Sequence, residues 1–264
     1  MSMTPGASAC CWLSNWTEAE NVTLRVFCLP HAGGGASAFR AWTRDQPAGV
    51  QICAVQLPGR EDRTGEPLPA AVVALTQVLA PVLLPHLDVP YVLVGNSVGA
   101  LVAFDLARQL QQQYCLPPLR LVAAAARPPG ADRGMPPASE LADAELAAAV
   151  QQRYGGIPGE MLRDPRYLEV FLPALRADLA MAQAYQPPPR PLLGCPVTAV
   201  VGADDPSMSR ADLAGWGAFT EGGFDSAELP GDHFALLGHR DQVLGSIRAE
   251  AALLQPANRG AQAT

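Results

Sequence analysis

The stretch Val94-Gly95-Asn96-Ser97-Val98-Gly99-Ala100 decides the fold, because it places a G-x-S-x-G pattern between two different periodicities. An apolar run at 91–94 precedes it and a helical pattern over 98–113 follows it. A serine at such a strand-to-helix turn stands on a tight bend with its hydroxyl exposed, and the two glycines avoid clashes that Cβ atoms would cause. The free amides of the following helix suit a developing negative charge. Ser97 is therefore predicted to be a nucleophile.

Two later segments supply the partners that an activated serine needs. A buried-strand pattern at 196–201 ends in Gly202-Ala203-Asp204-Asp205-Pro206, and His233 follows in a glycine-containing loop. An imidazole takes the serine proton, and a carboxylate fixes the imidazole tautomer. The order serine, acid, histidine is that of α/β-hydrolases. Asp205 is favoured as the acid because Pro206 fixes the turn after it, and Asp204 stays open as the alternative.

A glycine-rich loop follows the first strand, in Phe27-Cys28-Leu29-Pro30-His31-Ala32-Gly33-Gly34-Gly35. Such a loop supplies the second oxyanion donor in this class of enzyme. The backbone amides of Ala32 and Val98 are therefore predicted to converge on the oxyanion. Three flanking residues are assigned as candidate substrate-binding residues: His31, Asn96 and Phe234.

Strand and helix patterns alternate along the chain. Apolar strand patterns lie near 24–29, 51–56, 91–95, 119–125, 196–201 and 225–229. Helical patterns lie at 37–46, 68–84, 98–113, 210–219 and 239–254. This alternation predicts an α/β fold of the α/β-hydrolase type, with a mostly parallel central sheet and helices on both faces.

The alternation is interrupted between two proline-rich segments, at 127–130 and 186–191, which are typical of helix ends and loops. Helical patterns at about 139–153 and 165–185 fill the interval. The predicted organisation is a flexible N-terminal tail at 1–20, a hydrolase core at 21–127 and 191–256, a helical lid at 128–190, and a disordered tail at 257–264.

Composition limits the classes of partner. The net charge of −7 argues against nucleic acid and anionic membrane surfaces. No apolar stretch is long enough to span a membrane, no secretory leader is evident, and the six cysteines show neither a zinc-site spacing nor a disulfide framework. We expect a cytoplasmic monomer that needs neither a metal nor an organic cofactor.

Several motifs resemble those of the type II thioesterases of polyketide and nonribosomal peptide assembly lines. They are F-C-L-P-H-A-G-G-G (27–35), Q-L-P-G-R-E-D-R (56–63), G-N-S-V-G-A (95–100), F-L-P-A-L-R-A-D (171–178), G-A-D-D-P (202–206) and G-D-H-F (231–234). The resemblance implies a hydrolase that removes acyl groups from the phosphopantetheine arm of acyl or peptidyl carrier proteins. It also implies the triad Ser97, Asp205 and His233 with the oxyanion pair Ala32 and Val98. An acidic carrier would dock on a basic patch expected at Arg60, Arg63, Arg127 and Arg133.

One position departs from the family pattern, since Asn96 stands where these enzymes usually have histidine. Proton transfer does not depend on this side chain, so hydrolysis is expected to survive, while acyl transfer to another acceptor stays open. A small-molecule carboxylesterase with the same triad stays open as well, as does a non-catalytic binding protein on a hydrolase scaffold.

Overall fold

A twisted, mostly parallel sheet forms the centre of the molecule. The computed structural model describes residues 12–16, 18–44, 46–131 and 134–254. Within these ranges one seven-stranded sheet has the strand order β1-β3-β2-β4-β5-β6-β7. Its strands are β1 (Leu13–Ser14), β2 (Leu24–Leu29), β3 (Val50–Val55), β4 (Tyr91–Asn96), β5 (Arg120–Ala124), β6 (Val197–Gly202) and β7 (Phe224–Leu229). All neighbouring pairs are parallel except β1 with β3.

Strand alternation divides the core between the two faces of the sheet. Phe27 and Leu29 belong to one apolar cluster, whereas Val26 and Cys28 belong to another. Successive side chains of a strand point to opposite faces, so a strand buried on both sides reads as a continuous apolar run. The predicted α/β architecture with both faces covered is confirmed.

Helices cover both faces of the sheet. The α-helices are α1 (Val72–Leu83), α2 (Val98–Tyr114), α3 (Asp143–Tyr154), α4 (Pro165–Ala184), α5 (Ala235–Gly238) and α6 (Arg240–Leu254). The patterns at 37–46 and 210–219 form 3-10 helices, Ala36–Thr43 and Arg210–Phe219, in place of α-helices. Periodicity alone does not separate these two helix types over so few turns.

The N-terminal part of the chain differs from the expectation of a flexible tail over 1–20. Leu13 and Ser14 pair antiparallel with Val55 and Ala54 at the edge of the sheet. Trp12 is buried and the Arg63 guanidinium lies 3.8 Å from the centre of its ring. A two-residue strand carries too little periodicity for detection in the sequence. Residues 1–11 and the predicted tail at 257–264 lie outside the described ranges.

The interval 128–190 leaves the sheet between β5 and β6 and contains α3 and α4. Its assignment as a lid stays a prediction. No helix within the described ranges is long and apolar enough to cross a membrane.

Candidate active site

Ser97 occupies the sharp turn between β4 and α2. Its backbone has φ 55° and ψ −118°, a conformation that residues other than glycine rarely adopt. The strand ends one residue before it and the helix begins one residue after it. Its amide donates to the Ala124 carbonyl at 2.7 Å, which fixes the turn to β5. Such a local strain, kept by the surrounding sheet, is typical of a functional site.

Two glycines make this turn possible by close backbone contact. A Cβ on Gly95 would lie 2.3 Å from the Gly99 carbonyl oxygen. A Cβ on Gly99 would lie 2.3 Å from the Leu29 carbonyl oxygen and 2.4 Å from that of Pro30. The first contact lets the helix begin directly over the strand. The second brings the start of α2 against the loop that follows β2, so the two predicted oxyanion segments are neighbours.

His233 lies between Ser97 and Asp205. Its Nε2 is 3.1 Å from Ser97 Oγ, and its Nδ1 is 2.7 Å from Asp205 Oδ2. Both His233 and Asp205 are buried, while Asp204 is exposed and its amide donates to the Gly231 carbonyl. Of the two adjacent carboxylates, the structure therefore places Asp205 against the imidazole.

The loops that carry these two side chains are packed together at Gly202. A Cβ there would lie 2.0 Å from the Asp232 carbonyl oxygen. Asp232 itself accepts from the Phe234 amide at 2.9 Å, which is a local turn bond. The end of β6 and the His233 loop are thus held at a fixed separation.

Ser207 is a partner of Asp205 that the sequence patterns did not indicate. Its amide and hydroxyl donate to Asp205 Oδ1 at 2.8 and 2.6 Å, and its Oγ is 3.3 Å from His233 Nδ1. Burial alone raises the pKa of Asp205. The hydrogen bond and charge of His233 and the two bonds from Ser207 outweigh it, so the pKa lies below its usual value. The carboxylate is therefore ionised at neutral pH.

Replacement of Ser207 with alanine is expected to destabilise the protein by about 1.5–3 kcal/mol at pH 7, because a hydrogen bond to a charged group is lost. A carboxyl whose folded-state pKa is depressed stabilises the fold above its unfolded value, about 3.9, and loses that contribution as the pH falls through the folded pKa. The deficit of the variant should therefore shrink below about pH 4. Urea denaturation of the wild-type chain and the variant, at pH 7 and below about pH 4, measures this difference in the free energy of unfolding. Ser246→Ala is the control, because its hydroxyl donates to the uncharged Val243 carbonyl at 2.8 Å and its deficit should not depend on pH. An equal deficit of Ser207→Ala at both pH values would contradict this interpretation.

The predicted oxyanion donors lie on the two neighbouring segments. Val98 is the first residue of α2, where amides have no acceptor within the helix. Ala32 follows β2 in the glycine-rich loop, and that loop is turned by Gly33 at φ 71°. Their role as an oxyanion pair stays a prediction.

The candidate substrate-binding residues His31 and Phe234 lie beside the imidazole. The Phe234 ring makes edge contacts with His31 at 4.9 Å and with His233 at 5.3 Å between ring centres. Burial, with smaller effects of His233 and Arg60, lowers the pKa of His31 to about 4. His31 is therefore neutral at physiological pH, and contact of these two residues with substrate stays a prediction.

Asn96, the third candidate substrate-binding residue, is buried at the end of β4. Its side chain has no exposed surface, and neither its amide nitrogen nor its oxygen has a hydrogen-bond partner among the described residues. Asn96 is the last residue of β4 and points to the same face of the sheet as Val92 and Val94. Those two valines pack in the apolar cluster between the sheet and α6. A fully buried side chain offers no surface to a substrate in this conformation, and contact of Asn96 with substrate stays a prediction.

Two cavities lie near the triad. One of about 30 Å³ contains Ser97 and His233 together with Ala125, Ala126, Leu179, Met208 and other residues. The other, about 430 Å³, is lined by His31, the glycine-rich loop, Tyr167 and Phe171 among others. We regard the smaller cavity as the reaction site because it alone of the two includes the serine and the imidazole. No group of three or more His, Cys, Asp or Glu side chains in the described ranges could hold a metal ion.

A residue of the predicted lid covers the imidazole, although no sequence pattern indicated it. The Tyr154 ring, at the end of α3, lies 4.7 Å from the ring of His233. Tyr154 also lines the smaller cavity. An aromatic residue in a helical pattern gives no signal for such a contact, because it depends on how α3 packs against the core.

The expected basic docking patch is not present as predicted. Arg60 and Arg63 are buried and paired with Asp178 and Glu66. Arg127 is partly buried and lies 3.3 Å from Asp212, and Arg133 lies outside the described residues. Each of the three described arginines is paired with a carboxylate, so they do not form a free cationic surface.

Comparisons with known proteins agree with the fold. Residues 24–251 match the family described as "Thioesterase domain". The chain is similar to the type II thioesterase BorB from the borrelidin biosynthetic cluster, with 31% identity, a TM-score of 0.80, and coverage of 94% of this chain and 100% of that one. The sheet and its covering helices thus form an α/β-hydrolase fold.

Curated relatives lead to the same family. Thioesterase PikA5 of Streptomyces venezuelae is 34% identical over 89% of this chain and 84% of its own length. The AMB antimetabolite synthetase AmbE of Pseudomonas aeruginosa is 35% identical over 91% of this chain, which spans only 11% of that protein. The chain belongs to the thioesterase family.

Proposed function

We propose that this chain is a serine thioesterase that hydrolyses acyl thioesters on the phosphopantetheine arm of acyl or peptidyl carrier proteins, in editing or release during polyketide or nonribosomal peptide synthesis. The main support is the continuous chain of hydrogen-bond distances from Ser97 Oγ through His233 to Asp205. Relatives named as thioesterases of biosynthetic pathways support the choice of a carrier-bound substrate.

The first half of the reaction acylates Ser97. His233 Nε2 takes the hydroxyl proton while Oγ attacks the thioester carbonyl, and the carbonyl oxygen becomes an anion near the amides of Ala32 and Val98. The C–S bond then breaks as His233 returns the proton to the leaving sulfur. The free pantetheine thiol departs, and the acyl group stays as an ester on Ser97.

The second half releases the acid. A water molecule gives a proton to His233 Nε2 and attacks the acyl-serine carbonyl. The tetrahedral anion collapses, the C–O bond to Ser97 breaks, and His233 returns the proton to Oγ. Asp205 stays ionised throughout and stabilises the charged imidazole in both halves.

The size of the smaller cavity guides the choice of test substrate. Its free volume, about 30 Å³, is small beside the 430 Å³ of the neighbouring cavity. Acetyl is a short acyl group and therefore requires little movement of the lining residues Leu179 and Met208. Acetyl thioesters are therefore the appropriate probes.

The test compares acetyl-carrier protein, acetyl-pantetheine and p-nitrophenyl acetate as substrates of the wild-type chain. We expect kcat/KM to be at least about tenfold higher for the carrier-bound thioester than for the other two, because remote binding energy accelerates the reaction. Mass spectrometry of the products distinguishes free acetate from acyl transfer when an amine acceptor is added. A preference for the plain ester would contradict the carrier-protein substrate, and a transferred product would favour acyl transfer.

A further inference from the structure

The F-L-P-A-L-R-A-D motif ends at Asp178, a buried carboxylate that the proposed reaction does not use. The side chain of Asp178 is 1% exposed, although it belongs to α4 in the interval predicted to be a lid. Arg60, from the P-G-R-E motif, donates to its two oxygens at 2.5 and 3.0 Å. This two-bond pair joins two motifs that lie far apart in the sequence and have no assigned role.

The same carboxylate also contacts the glycine-rich loop. The Gly33 amide donates to Asp178 Oδ2 at 2.8 Å, and Gly33 directly follows the predicted oxyanion donor Ala32. Arg60 in turn donates to the Gly34 carbonyl at 3.4 Å. The ion pair therefore fixes the two residues after Ala32: Asp178 binds the Gly33 amide, and Arg60 binds the Gly34 carbonyl.

Helix α4 packs against this loop along one face. Phe171, Leu175 and Asp178 are spaced i, i+4 and i+7, which places them on one side of a helix. A Cβ on Gly33 would lie 2.6 Å from the Phe171 ring and 3.3 Å from Leu175 Cβ. The next residue, Leu179, lines the cavity that contains Ser97. Helix α4 thus lines the smaller cavity and also contacts the glycine-rich loop.

Stability alone does not account for this pair. Replacing a buried ion pair with well-packed apolar groups is often neutral or stabilising, so burial of two charges is weak evidence for a stabilising role. The directional bonds of the carboxylate to the Gly33 amide and to a planar guanidinium do, however, fix a backbone position. An oxyanion donor needs such a fixed position to be effective.

We propose that Asp178, held by Arg60, is a positioning residue that orients the Ala32 amide toward the oxyanion, so that the oxyanion site is complete only when helix α4 is seated on the core. This inference rests on the proposed function. It concerns a residue that acts through the backbone of its neighbour and does not itself touch the reacting atoms.

The test compares Asp178→Asn with Asp105→Asn. Asp105 is a matched control, because it is a buried carboxylate of α2 that accepts from the hydroxyl of Tyr185, the residue that follows α4, at 2.7 Å. Its other partners, Thr76, Gln109 and Arg108, belong to α1 and α2 on the core side. Neither replacement changes the size of the side chain appreciably, and circular dichroism checks that both variants are folded.

Three measurements separate positioning from general damage. They are kcat and KM for acetyl-pantetheine, the affinity for its trifluoromethyl ketone analogue, and the affinity for the thioether that has a methylene in place of the carbonyl. The ketone forms a tetrahedral oxyanion on Ser97, whereas the thioether binds without an adduct. For Asp178→Asn we expect kcat to fall about a hundredfold with KM within about threefold. The ketone affinity should fall by a similar factor and the thioether affinity should stay unchanged.

Asp105→Asn is expected to leave the ratio of the two affinities at the wild-type value. If Asp178→Asn keeps the wild-type ketone affinity, or loses ketone and thioether affinity equally, the positioning role is wrong. A wild-type chain that neither hydrolyses acetyl-pantetheine nor binds the ketone would instead contradict the proposed function itself.

If Asp178→Asn does not fold, Arg60→Lys takes its place. Lysine keeps the positive charge opposite Asp178 but replaces the planar two-bond contact with a point charge. We expect a selective loss of ketone affinity of about tenfold, with the thioether affinity unchanged. An unchanged ratio of the two affinities in this variant would overturn the proposal.

Discussion

Replacement of Ser97 with alanine is expected to lower kcat for thioester hydrolysis by roughly 10⁴- to 10⁶-fold, the largest effect expected of any single substitution in this chain. In the proposed reaction Oγ forms the acyl bond and its proton passes to His233 Nε2 at 3.1 Å. The Ser207 hydroxyl lines the same cavity, but it donates to Asp205 and lies beside Nδ1, so it does not replace Ser97. A residual rate above that in water is expected, since the proposed oxyanion amides of Ala32 and Val98 stay in place. Steady-state hydrolysis of an acetyl-carrier protein measures the loss.

The same variant should keep the fold. Alanine meets the same backbone requirement as serine at φ 55°, and the sheet and α2 hold the turn from both sides. The free energy of unfolding is therefore expected to change by no more than about 1 kcal/mol, the value of one hydrogen bond. A fluorophosphonate probe should label the wild-type chain and not the variant. Equal labelling of both, or substantial hydrolysis by a folded Ser97→Ala chain, would show that another residue is the nucleophile.

The central strands of the sheet were predictable because they are buried on both faces. Runs such as 24–29 and 91–95 have no polar alternation, and they follow one another with helical patterns between them. The structure places β2 at Leu24–Leu29 and β4 at Tyr91–Asn96, within one residue of these predictions. The turn at Ser97 was equally predictable, because close backbone contacts at Gly95 and Gly99 require glycine two residues before and two residues after the serine.

Contacts that depend on the approach of separate elements were not predictable. Ser207 follows Asp205 by two residues, yet its bond to the carboxylate depends on how the turn after β6 closes. The pairing of Arg60 with Asp178 joins the loop after β3 to helix α4, and neither residue has a sequence pattern that names its partner. For the same reason Arg60 was expected on the surface, where single-sequence statistics place most arginines.

The choice between the adjacent carboxylates leads to the second large prediction. Asp205→Asn is expected to lower kcat by about 10³- to 10⁴-fold, whereas Asp204→Asn should change it by less than about twofold. Asp205 Oδ2 accepts from His233 Nδ1 at 2.7 Å, which keeps the proton on Nδ1 and leaves Nε2 free to accept from the serine. An asparagine side chain can turn its NH₂ toward Nδ1. The imidazole then carries its proton on Nε2 and no longer acts as a base toward Ser97.

Asp204 is a nearly ideal control, because it differs from Asp205 in position by one residue and carries the same charge. It is exposed, and its contact with Gly231 is made by the backbone amide, which the substitution leaves in place. Both variants lose one negative charge from the same turn, so any long-range electrostatic effect on a carrier protein is shared between them. A ratio of the two kcat values near one would therefore show that the Asp205 carboxylate does not act through the imidazole. A loss confined to Asp205→Asn would attribute the effect to the buried carboxylate that accepts from His233, because the two side chains share their charge and their turn and differ in burial and contacts.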